Sequence, residues 1–216
     1  MTLVLPRCRH ALVVAPHPDD EAIGAWALMA TLRARGVKVR VLVAADGAAS
    51  HPGSVRWPPA RLAAERRRET RRAMATLGIP PDRVRFLALP DGALADHAAR
   101  LRAGCAQAIR QMPGPVLVVG PVADDDHPDH RVVAAALGRR RLARWRLGYR
   151  VWPLGATPRD RLALRLDERA RAAKRRVVRS YRTQAGRITD SATGMTMRPH
   201  HLRAFAGPAE RFRVLP

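Results

Sequence analysis

Apolar residues in this chain fall into short β-branched runs, separated by longer stretches with helix start and stop signals. Ala11 to Ala15, Val37 to Ala44, Val84 to Leu89 and Val116 to Val119 are runs of the first kind. Runs this short and this rich in Val and Leu predict strands buried on both faces. Helices are predicted between them: Glu21 to Arg35, ended by Gly36; Ala60 to Leu77, entered through Pro58-Pro59 and closed by Gly78; and Ala98 to Met112, stopped by Pro113-Gly114. A further helix is predicted from His130 to about Arg144. Tyr149 to Trp152 and Leu162 to Leu166 read as shorter strands, and Asp167 to about Gln184 as a helix with acids at its positive end. From Ala185 onward Gly, Thr, Pro and His mix without a period, which predicts irregular structure with at most a short strand. Strand and helix alternate, so the expected fold is α/β: a three-layer α/β/α Rossmann-like sandwich with a mainly parallel sheet, in one domain over residues 1–216.

Composition changes this picture only in its charge. A chain of 216 residues with 47% hydrophobic content can bury a core without disulfides. The formal net charge is +22, and Lys38 and Lys174 are the only lysines, so nearly all of the positive charge is arginine. Arginines on solvated helix faces account for this, and so does attraction to an anionic substrate, polymer or membrane surface. Nucleic-acid binding gets no further support, because aromatics are 4% and no binding module is recognisable. No apolar stretch is long enough to span a membrane, which leaves peripheral association as the membrane role compatible with the charge. Leu3-Val4-Leu5 is broken at once by Pro6 and Arg7, so no leader is read there. Cys8 and Cys105 lie in unrelated contexts and suggest neither a disulfide framework nor a thiolate-held metal, which fits a reducing cytoplasm.

The candidate chemistry lies in two tracts, each placed directly after a strand-like run. One is His17-Pro18-Asp19-Asp20-Glu21; the other is Asp124-Asp125-Asp126-His127-Pro128-Asp129-His130. The usual strand order of a doubly wound sheet sets the first and fourth strands side by side, with ligands bound beyond their carboxyl ends. Both tracts would then meet at one centre. Imidazoles and carboxylates converging there suit a single zinc ion, which commonly takes three protein ligands and lowers the pKa of water from about 15.7 to about 7. Two histidines and a carboxylate can ligate, a second carboxylate can take a proton, and a third histidine can act as acid. Each tract alone has plainer explanations: a turn, N-caps from Asp19, Asp20 or Asp129, or Glu21 favouring a helix start. Their pairing is what favours a metal. One aspartate of Asp124 to Asp126 could orient a histidine, or the run could simply be a solvated loop.

These residues resemble the LmbE-like or PIG-L family of zinc-dependent de-N-acetylases. Pro16 to Glu21 matches its hallmark (Ala/Pro)-His-Pro-Asp-Asp-Glu, and His127 to His130 its His-Pro-Asp-His. Asp46-Gly47, Arg66 to Glu69, Leu89 to Gly92, Lys174 and Tyr181 to Gln184 follow the family in order, with Thr183 where Ser is usual. The resemblance implies that His17, Asp20 and His130 bind one zinc per chain, that Asp19 is the general base, and that His127 polarises the amide or protonates the leaving amine. It also implies substrate contacts from Arg66 and Asp91. The expected substrate is a small acylated amino sugar or glycoconjugate, with the positive charge tilting toward an anionic one. Two rival readings remain: a metal-dependent phosphoesterase, and an inactive Arg-rich module docking on an anionic polymer or membrane.

Overall fold

The computed structural model describes residues 1–138, 145–155 and 157–215. The elements run β1 (His10–Ala15), α1 (Asp20–Ala34), β2 (Lys38–Ala45), α2 (Pro59–Ala75), a 3-10 turn (Pro81–Arg83), β3 (Val84–Leu89), α3 (Ala98–Arg110), β4 (Val116–Pro121), α4 (Pro128–Leu137), β5 (Trp145–Tyr149), β6 (Leu162–Arg165), α5 (Glu168–Ser180), α6 (Pro199–Phe205) and β7 (Ala209–Val214). The strands form one sheet in the order β3-β2-β1-β4-β5-β7-β6. β1 through β5 pair in parallel, whereas β7 lies antiparallel between β5 and β6. Period-two alternation divides the central strand between two cores. Ala11, Val13 and Ala15 face the side covered by α1, α2, α5 and α6, while Leu12 and Val14 face α3 and α4. This is the expected three-layer sandwich. Among the described residues, no helix is long and apolar enough to cross a membrane.

Three expectations need correction. The fifth strand is Trp145–Tyr149, not Tyr149 to Trp152. The chain leaves the sheet at Arg150, because the Asp125 carboxylate takes the amides of Val151 and Trp152 at 2.9 and 3.0 Å. The last predicted helix stops at Ser180, so Tyr181, Thr183 and Gln184 are free to turn inward and are buried. The tail is irregular over residues 185–198 and ends in a short strand, as expected, but a short helix that was not expected precedes that strand. Pro199 occupies the first turn of α6, and β7 follows with Glu210 and Phe212 buried. A glutamate at an inward position breaks the apolar alternation that would have announced a strand. Helix α4 ends at Leu137; the remainder of its predicted extent, residues 139–144, lies outside the described residues.

Glu210 has an identifiable task. Helix α1 breaks at Ala25 (φ −145°, ψ 19°), beside Gly24, where a Cβ would lie 2.2 Å from the Tyr149 ring. The break leaves amides and carbonyls without helical partners. Glu210 accepts from the amides of Ala27 and Leu28 at 2.8 and 2.9 Å, and Lys174 Nζ donates to the Ile23 carbonyl at 2.7 Å. Lys174 and Glu210 also pair with each other at 2.7 Å. Both sides of the break are thus satisfied, and the first turn of α1 is held at its own angle.

Candidate metal centre

β1 and β4 run in parallel register from His10 opposite Val116 to Val13 opposite Val119, so the two ligand-rich tracts emerge at the same edge. Asp20 sits between them. Its Oδ2 lies 3.2 Å from His17 Nδ1 and 3.2 Å from His130 Nε2, and accepts the His17 amide at 2.9 Å. The ring centroids of His17, His127 and His130 are 4.7 to 5.4 Å apart. Nitrogens of all three lie within 4.8 Å of one another. Bonds of about 2.0–2.1 Å in a tetrahedral shell imply ligand-to-ligand edges of about 3.3 Å. The two Asp20 contacts match that edge, so Asp20 could share a small divalent cation with His17 and with His130.

The far nitrogen of each of these two histidines lies beside a carboxylate. His130 Nδ1 is 3.2 Å from Asp125 Oδ1, and His17 Nε2 is 3.2 Å from Asp129 Oδ2 and 3.1 Å from Asp91 Oδ1. Such partners fix the ring orientation and raise the basicity of a metal-binding imidazole. Asp129 is itself immobilised by the amides of Gly92 and Leu94, at 2.9 and 3.1 Å, in the loop after β3. It does not cap its own helix; His127 does, accepting the Asp129 amide at Nδ1.

Charge follows geometry. Burial depresses His130, but Asp20 and Asp125 outweigh it and hold the imidazole up to about 9. Burial likewise opposes His17, and Asp129, Asp20 and Asp91 carry it well above the usual histidine range. Asp20 is driven well below the carboxylate range, against its burial, by His130 and His17. The cluster favours positive charge at these two imidazoles, and a bound cation would supply it in place of protons. His127 behaves differently: burial, then His17 and His130, lower its pKa, so the ring is neutral. With Nδ1 accepting a backbone amide, its proton resides on Nε2.

Asp19 adjoins Asp20 in sequence but not in environment. Its backbone takes φ 127°, a conformation costly for any residue with a Cβ. Two contacts hold it there. Glu21 Oε2 accepts the Asp19 amide at 3.1 Å, while the Tyr181 hydroxyl donates to Glu21 Oε1. Arg66 donates to the carbonyls of Pro18 and Gly47 at 2.6 and 3.0 Å and to Asp19 Oδ2 at 3.2 Å. Burial raises the Asp19 carboxyl well above its usual value, with Arg66 opposing. Gly47 (φ 74°) must lack a side chain, since a Cβ would lie 2.6 Å from the Arg66 guanidinium.

His17, Asp19, Asp20, Arg66, Asp91, His127 and His130, the seven residues expected from sequence, all border one cavity of about 340 Å³. Arg66 reaches it with its terminal N–H groups already engaged, and Asp91 has one oxygen on His17 and the other on the Ala49 amide, 3.1 Å away. Sequence reasoning missed the Glu21–Tyr181 support, the work of Asp129, and the wall formed by Trp152, Met195, Met197 and Phe205. The acid run splits three ways. Asp125 backs His130, Asp124 pairs with Arg150 and Arg213, and Asp126 donates its amide to the Trp152 carbonyl.

Comparison with known proteins bears on the same residues. The family profile described as "PIG-L: GlcNAc-PI de-N-acetylase" matches residues 12–139, more than half of the chain and inclusive of both tracts. No curated protein sequence matches significantly. Among solved structures, the N,N'-diacetylchitobiose deacetylase of Pyrococcus horikoshii is similar with a TM-score of 0.74 at 19% identity, over 96% of this chain and 84% of that one. The A40926 pseudoaglycone deacetylase Dbv21 is 25% identical with a TM-score of 0.63, over 80% of this chain and 81% of that one. The 4-carboxy-2-hydroxymuconate hydratase GalB of Pseudomonas putida KT2440 shares the fold at 15% identity and a TM-score of 0.66, over 96% of this chain and 95% of that one. One architecture therefore carries hydrolases and a hydratase, and activity must be argued from the site.

Proposed function

The chain belongs to the PIG-L family, and from that premise we propose that it is a zinc-dependent hydrolase removing an N-acyl group, acetyl in the first instance, from an amino sugar or glycoconjugate. The observation that carries the reading is the separation of the two adjacent aspartates. Asp20 is shared between two imidazoles, whereas Asp19 is turned onto Arg66 and borders the cavity. One carboxylate is thereby suited to ligation and the other to proton transfer.

His17, Asp20 and His130 would hold one zinc ion, which when bound supplies Lewis acidity toward the amide carbonyl and lowers the pKa of water. Asp19 takes the proton of the attacking water; its raised pKa makes it a stronger base than an ordinary carboxylate. His127 offers Nε2–H to the carbonyl oxygen as charge develops there. The departing nitrogen receives a proton from Asp19 or His127, giving a carboxylate and a free amine. Arg66 and Asp91 are assigned to the substrate side of the cavity, with Arg66 also fixing Asp19. The free thiols of Cys8 and Cys105 support a reducing cytoplasm as the protein's location.

Asp19→Ala tests the division of labour. Deacetylation of N-acetylglucosamine glycosides, followed as free amine, should fall by about 10²–10⁴-fold while zinc stays near one per chain. Near-full activity in that variant would remove Asp19 as the base. The phosphoesterase alternative expects two metals bridged by carboxylate. His17, Asp91 and Asp129 form a second compact group, but the Asp129 carboxylate is already occupied by two backbone amides. Metal stoichiometry in the purified protein separates the two reactions.

A further inference from the structure

The cavity has hydrogen-bonding groups on its catalytic residues, but Val151, Trp152, Met195, Met197 and Phe205 add an apolar wall. Trp152 is the tryptophan in this lining, and it is only partly buried, whereas Trp26 and Trp57 belong to the core. Its backbone is fastened to the loop of the second tract from both sides. The Asp125 carboxylate accepts the Trp152 amide at 3.0 Å, and the Asp126 amide donates to the Trp152 carbonyl at 3.1 Å. The other Asp125 oxygen faces His130 Nδ1. The indole is braced by α6, meeting Phe205 at 5.8 Å and His201 at 5.5 Å, both near perpendicular. His201 is fixed in turn, since its Nδ1 accepts the Arg198 amide.

A fixed aromatic surface beside convergent polar groups matches a molecule with one apolar face and a hydroxylated edge. A pyranose ring is such a molecule; a flexible alkyl amide is not. We infer that Trp152 is the platform on which the C–H face of the substrate's sugar ring packs, and that Asp125 sets the distance from this platform to the metal ligands. The inference rests on the amino-sugar reading above and narrows it to substrates whose acylated nitrogen is carried on a pyranose.

The test uses Trp152→Leu, which keeps an apolar side chain, and Trp152→Phe, which keeps an aromatic face. With N-acetylglucosamine glycosides, Trp152→Leu should raise KM by about tenfold with kcat little changed and zinc content intact, and Trp152→Phe should recover most of the loss. A fall in kcat at constant KM, or a Phe variant as impaired as the Leu variant, would overturn the platform. Calorimetric titration with glucosamine, the sugar part of the amine product, needs no turnover and separates the two claims. Glucosamine binding that weakens in Trp152→Leu supports the platform even if the wild type deacetylates nothing. Efficient deacetylation with KM and glucosamine binding unchanged in Trp152→Leu rejects it and leaves the deacetylase reading intact.

Discussion

Two cavities share Ile23, Val151 and Phe205 in their walls, yet the charges beside them follow different rules. In the smaller cavity Lys174 pairs with Glu210, while Arg150 and Arg213 pair with Asp160 at 3.1 and 2.7 Å and with Asp124 at 2.8 and 2.9 Å. Each acid there has a permanent cation. In the larger one, Asp19, Asp20, Glu21, Asp91, Asp125 and Asp129 converge with Arg66 and imidazoles that can be neutral. An acid surplus inside a chain of net charge +22 is not a by-product of composition. The balanced cluster is complete as it stands, and its Lys174–Glu210 pair secures the break in α1; the surplus cluster would be completed by a cation.

That contrast can be broken most severely at His130. His130→Ala should reduce zinc to a minor fraction of the chains and activity to background, because a three-ligand shell does not survive losing a ligand from its core. Full zinc occupancy in that variant would make the surplus cluster a structural one, like its neighbour. A smaller effect is expected behind the ligands. Asp125→Asn should weaken zinc affinity or activity by about 10–100-fold, whereas Asp160→Asn should lower the melting temperature without moving zinc affinity. Equal effects on affinity from both would merge the two clusters into one.

The smallest difference is in pH dependence. Burial opposes ionisation of Asp160 and Asp124, but hydrogen bonds and the neighbouring arginines hold both below the usual carboxylate value. Their stabilisation is complete above the unfolded pKa of about 3.9 and is lost as pH falls through the lower folded values. His130 has the opposite sign. Its folded pKa of about 9 exceeds the unfolded value of about 6.5, so its stabilisation is full below the latter and lost as pH rises through the former. Zinc-free protein should therefore melt a few degrees lower at about pH 9 than at about pH 6.5. Saturating zinc should abolish that slope, since the metal replaces the proton; a flat profile without zinc would contradict the charge assignment.

Much of this was readable from the chain because the informative signals were local. The runs that became β1 to β4 are short and β-branched enough to mark buried strands, and parallel pairing of β1 with β4 brings the two tracts together. What escaped depended on distant partners. Asp129 looks like a helix cap beside Pro128, but its oxygens are taken by Gly92, Leu94 and His17, none of them sequence neighbours. The inward turn of Arg66 rather than Arg67 or Arg68 was within reach: Leu62, Arg66, Glu69 and Ala73 are buried on one stripe of α2. The β5 boundary was not, because Val151 and Trp152 would suit a strand but the Asp125 carboxylate claims their amides.

The Glu210 contact also constrains the order in which the molecule is made. The amide of Ala27 and the carboxylate that satisfies it are separated by 183 positions, so this contact closes nearly the largest loop the chain permits. Such distant pairings slow folding, since the entropy of closure comes due before the contact repays it. A nascent chain that has not yet released β7 already holds both ligand tracts but cannot close the break in α1. Competence to hold the metal tightly should consequently appear late, when β7 slides between β5 and β6, and zinc uptake during refolding becomes a clock for that last event.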